Sequence, residues 1–111
     1  DFSALLTGDI AAEQETELLP EIKERVQKID VLKVAHHGSN ASSGQEFLTE
    51  IDFDYAFISC GKNNMYGHPG KETMERLQKC APKEKIYVTM DVGQITLELD
   101  QRRRIQTKFE R

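Results

Sequence analysis

The sequence predicts a layered α/β domain, and three observations carry that prediction. Short apolar runs recur along most of the chain, each stopped abruptly by glycine or histidine; the segments between them read as amphipathic helices; and towards the C-terminus the pattern changes to strict alternation. Strand and helix in alternation is the signature of a largely parallel sheet with helices packed on it, whereas a period of two marks half-exposed antiparallel strands.

Phe2-Ser3-Ala4-Leu5-Leu6-Thr7 ends at Gly8-Asp9, which predicts a buried strand closed by a tight turn. The chain thus opens inside structure, and a further segment upstream is expected. From Ala11 to Leu19 good helix formers carry acidic residues in their first turns, and Pro20 then predicts an interruption and a restart, giving two short helices. Ile22, Val26 and Ile29 form an apolar stripe on the second. Asp30 to Ala35 reads as a strand that stops at His36-His37-Gly38-Ser39. Ser43 with Glu46 predicts a capping box, with Phe47, Leu48 and Ile51 on the apolar side of the helix that follows.

Tyr55 to Cys60 is a continuous apolar run of the kind buried on both faces, and the loop from Gly61 to Gly67 succeeds it. Pro69 suits the first turn of a helix reaching about Cys80, with Met74 and Leu77 facing inward and Pro82 preventing continuation. Ile86 to Thr89, Ile95 to Leu99 and Ile105 to Phe109 are expected as antiparallel strands, with Gln101-Arg102-Arg103-Arg104 as a hairpin turn. No internal repeat or low-complexity tract is present.

At 111 residues the chain has room for one small domain. Fifteen Lys plus Arg against nineteen Asp plus Glu give a net charge of -4, which excludes a general electrostatic attraction to nucleic acid or an anionic membrane and leaves only local contacts. No apolar stretch approaches the roughly 20 residues of a membrane helix, and no basic segment precedes an apolar one at the N-terminus. Cys60 and Cys80 belong to no CxxC pair and read as buried thiols, with a single disulfide between them as the alternative.

The chemistry concentrates in one kind of position. His36, His37 and His68 all follow predicted buried strands or lie in the loops after them, and Asp9 does the same. In layered α/β proteins such positions line the crevice where ligands bind. Carboxylate oxygen and imidazole nitrogen suit zinc, manganese or iron. Bland readings stand beside these: Gly8-Asp9 as a plain turn, the histidines as polar loop residues, His68 as a helix cap. Adjacent histidines point in different directions, so at most one of His36 and His37 is expected as a direct ligand.

Three strings then resemble, in order, the metallo-β-lactamase-like domain of the ComEC family, the membrane channel proteins of bacterial DNA uptake in natural competence. They are Leu5-Leu6-Thr7-Gly8-Asp9-Ile10, Val31 to Ser39 ending in His36-His37-Gly38-Ser39, and Gly61 to Pro69 with Gly67-His68-Pro69. Ser42-Ser43 and Gly93-Gln94-Ile95-Thr96 extend the match over nearly the whole chain. The resemblance implies that residues 1–111 are the C-terminal half of a four-layer αββα sandwich, a mixed sheet flanked by helices, with a metal site, often dinuclear, between the sheets. The family's HxDxDH- or HxHxDH-type motif occurs nowhere in the sequence and is expected in an upstream half.

By the same resemblance Asp9 and His68 are the expected metal ligands, while His36 and His37 are the expected catalytic residues, acting as acid or phosphate clamp or binding metal, and are not assigned individually. Ser39, Lys62, Asn63 and Asn64 are candidate substrate contacts, with a solvated loop as the equal alternative for the last three. Zinc or manganese is the implied cofactor of the complete domain, with weak or no binding by this fragment, which is expected to be inactive alone. The implied activity is phosphodiester hydrolysis of the DNA strand that is not imported. The alternatives are another substrate of the same superfamily (a lactam, thioester, phosphocholine ester or RNA) or a non-catalytic scaffold binding DNA or a partner through the 61–67 loop. The implied partners are DNA, the upstream half and, for the isolated fragment, a second copy. The implied parent is a cell-membrane protein with this domain outside the cytoplasm.

Overall fold

The computed structural model describes residues 2–61, 67–99 and 105–110. Four strands, β1 (Ala4–Leu6), β2 (Ile29–Lys33), β3 (Phe53–Ile58) and β4 (Ile86–Val88), form one parallel sheet in the order β1-β2-β3-β4. Leu6 pairs with Lys33, Lys33 with Phe57 and Phe57 with Tyr87, so the C-terminal ends of the strands share one edge. The crossovers are α1 (Ala12–Arg25), α2 (Gln45–Glu50) and α3 (Lys71–Cys80). Sequential strands joined by right-handed crossovers put every helix on the same face. Leu19 of α1, Phe47 and Leu48 of α2 and Leu77 of α3 accordingly share one core with Leu32, Val34, Ala56, Ile58 and Val88.

Among the described residues no crossover helix packs on the opposite face. Tyr55, Phe57 and Tyr87 stack along it, with ring centroids 5.3 to 6.4 Å apart, and Lys85 Nζ lies 5.3 Å from the Tyr55 ring centroid. After a single turn, α4 (Thr89–Val92), the chain forms an antiparallel hairpin of β5 (Gln94–Leu99) and β6 (Ile105–Glu110). Ile95 of that hairpin lines an apolar groove of about 240 Å³ with Leu6, Val31, Phe57 and Thr89. A second, two-stranded sheet therefore begins beside the open face of the first.

Several local expectations need correction. Residues Ala12–Arg25 form one helix with Pro20 inside it instead of two. A proline in a helix interior costs about 3 kcal/mol through its missing N–H and the clash of its ring with the preceding turn, and continued burial of Leu19, with Ile22 and Val26 packed on the core, offsets it. The first strand is an exposed edge: Leu6 is 78 % and Phe2 41 % exposed. Residues Ile86–Val88 join the parallel sheet beside β3, and only β5 and β6 are antiparallel. Pro69 lies before α3, whose N-cap is Gly70. No Ser43–Glu46 capping box forms, because Ser43 is buried with a left-handed backbone (φ 57°) and Gly44 is the N-cap. Cys60 and Cys80 are not joined in a disulfide, and both are half-buried where burial was expected. The 101–104 turn expectation falls outside the described residues.

Candidate functional site

Three segments meet at the C-terminal edge of the parallel sheet. Thr7-Gly8-Asp9 leaves β1, a 3-10 turn over Ala35–Gly38 leaves β2, and Ser59 leaves β3. Backbone bonds lock them together: His36 N donates to Gly8 O and Gly70 N donates to Gly38 O, both at 2.7 Å. Thr7 Oγ1 also donates to Lys33 O at 2.5 Å. The histidine pair is thus fastened on one side to the Asp9 turn and on the other to the segment that carries His68.

The turn is held in a costly conformation. His36 (φ 52°, ψ 44°) and His37 (φ 54°, ψ 26°) both occupy the left-handed region, at about 1–2 kcal/mol each for residues with a Cβ. Gly38 continues it at φ 83°, and a Cβ there would lie 2.7 Å from Pro69 Cβ and 3.3 Å from Ile58 Cγ2. Glycine is therefore required at this position by both backbone angle and packing. The left-handed pair turns the chain sharply at the strand end, which presents two imidazoles at the edge where a strand would carry them to opposite faces.

The four predicted groups fall into two pairs. His37 Nε2 lies 4.0 Å from Asp9 Oδ1, and Nδ1 of the same ring lies 2.7 Å from the carbonyl oxygen of Ser59. A carbonyl only accepts, so Nδ1 carries the hydrogen and the neutral ring keeps its lone pair on Nε2, facing Asp9. Both side chains are more than half exposed, and Nε2 attracts the Asp9 carboxylate only when it also carries a hydrogen, so the pair stands open to solvent. His36 and His68 form the second pair, half-buried, with ring centroids 5.8 Å apart and planes tilted by 55°. Ser39 is buried; its Oγ accepts from Ala41 N at 3.2 Å and its carbonyl accepts from Thr73 Oγ1 at 2.7 Å. Lys62, Asn63 and Asn64 lie outside the described residues.

In kind, this donor set fits a divalent metal; in number it does not complete a centre. Among the described residues no three His, Cys, Asp or Glu side chains are grouped to hold one ion, whereas a catalytic zinc site uses three protein ligands.

Two groups escaped the sequence reading. Ser59 orients His37 through its carbonyl, which no side-chain pattern announces. Glu15, which looks like an ordinary acidic residue in a helix first turn, is fully buried and accepts from Ser43 N at 2.7 Å and Gly44 N at 3.0 Å. Burial pushes its carboxyl above the ordinary value of 4.5, against the opposing pull of those two amides and of Arg76. Its partners lie 28 and 29 residues away in sequence, beyond any local signal.

These features define a class: an α/β domain with an imidazole and carboxylate site at the C-terminal edge of a parallel sheet. Within that class the chain's homologues belong to the bacterial competence protein family. It is 45% identical over 81 residues to ComE operon protein 3 of Bacillus subtilis, covering 70% of this chain and 10% of that protein. It is 38% identical to Recombination protein 2 of Haemophilus influenzae, over 96% of this chain and 13% of that protein. Competence protein ComA of Neisseria gonorrhoeae is 35% identical, over 67% of this chain and 11% of that protein. The chain thus spans about a tenth of the length of the curated relatives it matches. No family model and no solved structure matches it.

Proposed function

We propose that this chain is the C-terminal half of a metallo-β-lactamase-like hydrolase domain in a competence protein of bacterial DNA uptake, and that the complete domain cleaves phosphodiester bonds of the strand that is not imported. The observation that carries the reading is the bonding of the three motif segments to one another, which gathers Asp9, His36, His37 and His68 on one sheet edge. The homologues lend it the competence context. The open sheet face with its stacked aromatic rings, and the hairpin beginning beside it, suit the packing of a second β-layer as in a four-layer sandwich. In isolation that face is available to a second copy of the chain.

Asp9 and His68 are the metal ligands in this reading, completed by residues outside the described ones. Zinc or manganese held there would supply Lewis-acid chemistry, activating water near neutral pH and polarising a phosphoryl oxygen. His37 holds or releases a proton at Nε2, because Ser59 occupies Nδ1. His36, packed on His68, keeps that ring oriented. The parent protein is assigned to the cell membrane with this domain outside the cytoplasm; among the described residues no helix is long and apolar enough to cross a membrane.

The test is manganese- and zinc-dependent cleavage of single-stranded and duplex DNA by the full-length protein that contains this segment, beside its Asp9→Ala and His68→Ala variants. Metal-dependent cleavage that both variants lose supports the reading. A folded, metal-loaded protein that leaves DNA intact sinks the nuclease assignment in favour of another superfamily substrate or a scaffold.

A further inference from the structure

Residues 39–44, which follow the histidine pair, are clamped from two helices by a buried polar network. From the α1 side, Glu15 accepts from Ser43 N and Gly44 N, Ala12 N donates to Ala41 O, and Ser42 Oγ donates to Ile10 O at 2.6 Å. From the α3 side, Arg76 donates through Nε to Ser43 O at 2.8 Å and through Nη2 to Asn40 O and Ser42 O, both at 3.0 Å. Thr73 Oγ1 donates to Ser39 O, and Thr73 N donates to Asn40 Oδ1 at 3.2 Å. Ser39 N in turn donates to His36 O at 2.9 Å, so the clamp ends on the histidine turn itself.

Holding α1 against α2 does not call for this arrangement. Apolar side chains would pack the same space without desolvating a carboxylate, and buried polar networks are tolerated where every member is satisfied and one geometry is required. Glu15 and Thr73 are fully buried, and Glu15 accepts from both Ser43 N and Gly44 N of this loop. Two left-handed stretches need one geometry here, Ser43 inside the loop and the pair His36 and His37 before it, whose backbones would otherwise relax. We infer that Glu15 and Arg76 are positioning residues for the candidate site: a carboxylate and a guanidinium on opposite sides of residues 39–44 that together hold the His36-His37 turn and its contacts to Ser59 and His68. The inference rests on the hydrolase reading for its catalytic consequence only.

Glu15→Gln keeps the side-chain volume and one acceptor oxygen, so it cannot receive both amides without turning an amino group towards one of them. Arg76→Lys keeps the charge and loses the fork that reaches three carbonyls. NMR on the isotopically labelled chain is expected to show, in both variants, weakened ring-to-ring contacts between His36 and His68 and a mixture of His37 tautomers in place of the Nδ1–H form. Methyl signals of Leu32, Ile58 and Leu77 should stay as in the wild type. A folded Glu15→Gln chain with wild-type His37 tautomer and His36–His68 contacts overturns the inference, whatever its melting temperature. If that variant does not fold, Arg76→Lys decides by the same readout; if neither folds, the pair serves the fold as a whole and the inference is likewise overturned. In the full-length protein the expected effect on cleavage is a fall in kcat of about 10–100-fold with metal content unchanged. Absence of any nuclease activity there would sink the hydrolase reading and leave the NMR result standing.

Discussion

His37 Nδ1 lies 2.7 Å from the carbonyl oxygen of Ser59, the first residue beyond β3. One strand end thereby dictates the tautomer of an imidazole that emerges from its neighbour. The expected outcome at alkaline pH, in a two-bond nitrogen–proton correlation spectrum, is a single Nδ1–H form of the neutral His37 ring. A dominant Nε2–H form would contradict the bond and with it the assignment of Nε2 as the working nitrogen.

Gly38→Ala tests the turn. The substitution places a Cβ 2.7 Å from Pro69 Cβ at φ 83°, which predicts a loss of about 1–3 kcal/mol in urea unfolding. Because Gly38 O also receives Gly70 N, the His36–His68 ring contacts should weaken in the same variant. Wild-type stability would mean that the segment before α3 shifts without cost.

Glu15 gives stability a particular pH dependence. Burial raises its pKa above 4.5 in the folded chain, so the folded state binds the proton more tightly than the unfolded one. Its contribution is then fully present below about 4.5 and is lost as pH rises through the folded value. Urea unfolding of wild type and Glu15→Gln at pH 4 and pH 7 should show the wild type's relative stability falling at the higher pH. A difference that grows with pH would reverse the sign and remove burial as the dominant cause.

The open sheet face predicts a contrast between two contexts. Leu6 is 78 % exposed here, so Leu6→Asp should change the stability of this chain by less than about 0.5 kcal/mol. Under the four-layer reading the same change buries a charge in the full-length protein and costs several kcal/mol. Comparing unfolding of both proteins checks it; equal, small effects would leave that face uncovered.

Much of the fold is legible in the residues themselves. The apolar runs at β2 and β3, the amphipathic stripe of α3 with Leu77 inward, and the alternation of β5 and β6 all stand where hydrophobic period places them. Asp9, His36, His37 and His68 are legible as polar groups at strand ends or in the loops after them, though a plain turn, polar loop or helix cap would place the same residue types there. Pro20 misleads for a physical reason: a local breaking signal worth about 3 kcal/mol yields when the residues on both sides of it gain burial on the same sheet. The edge position of β1 and the parallel pairing of β4 are equally invisible in a local window, since both depend on which strand lies alongside.

By itself the sequence determined the alternation of strands and helices, the strand-end location of the candidate chemistry and the relationship to competence proteins. Only the tertiary structure decided how those groups pair, Asp9 with His37 and His36 with His68. It alone showed that the Ser59 carbonyl just beyond β3 orients His37 and that Glu15 and Arg76 hold residues 39–44. The division follows from range: period and turn chemistry act within a few residues, whereas these bonds join partners 22 to 33 residues apart, and desolvation of a charge such as Glu15 exists only once the chain has closed around it.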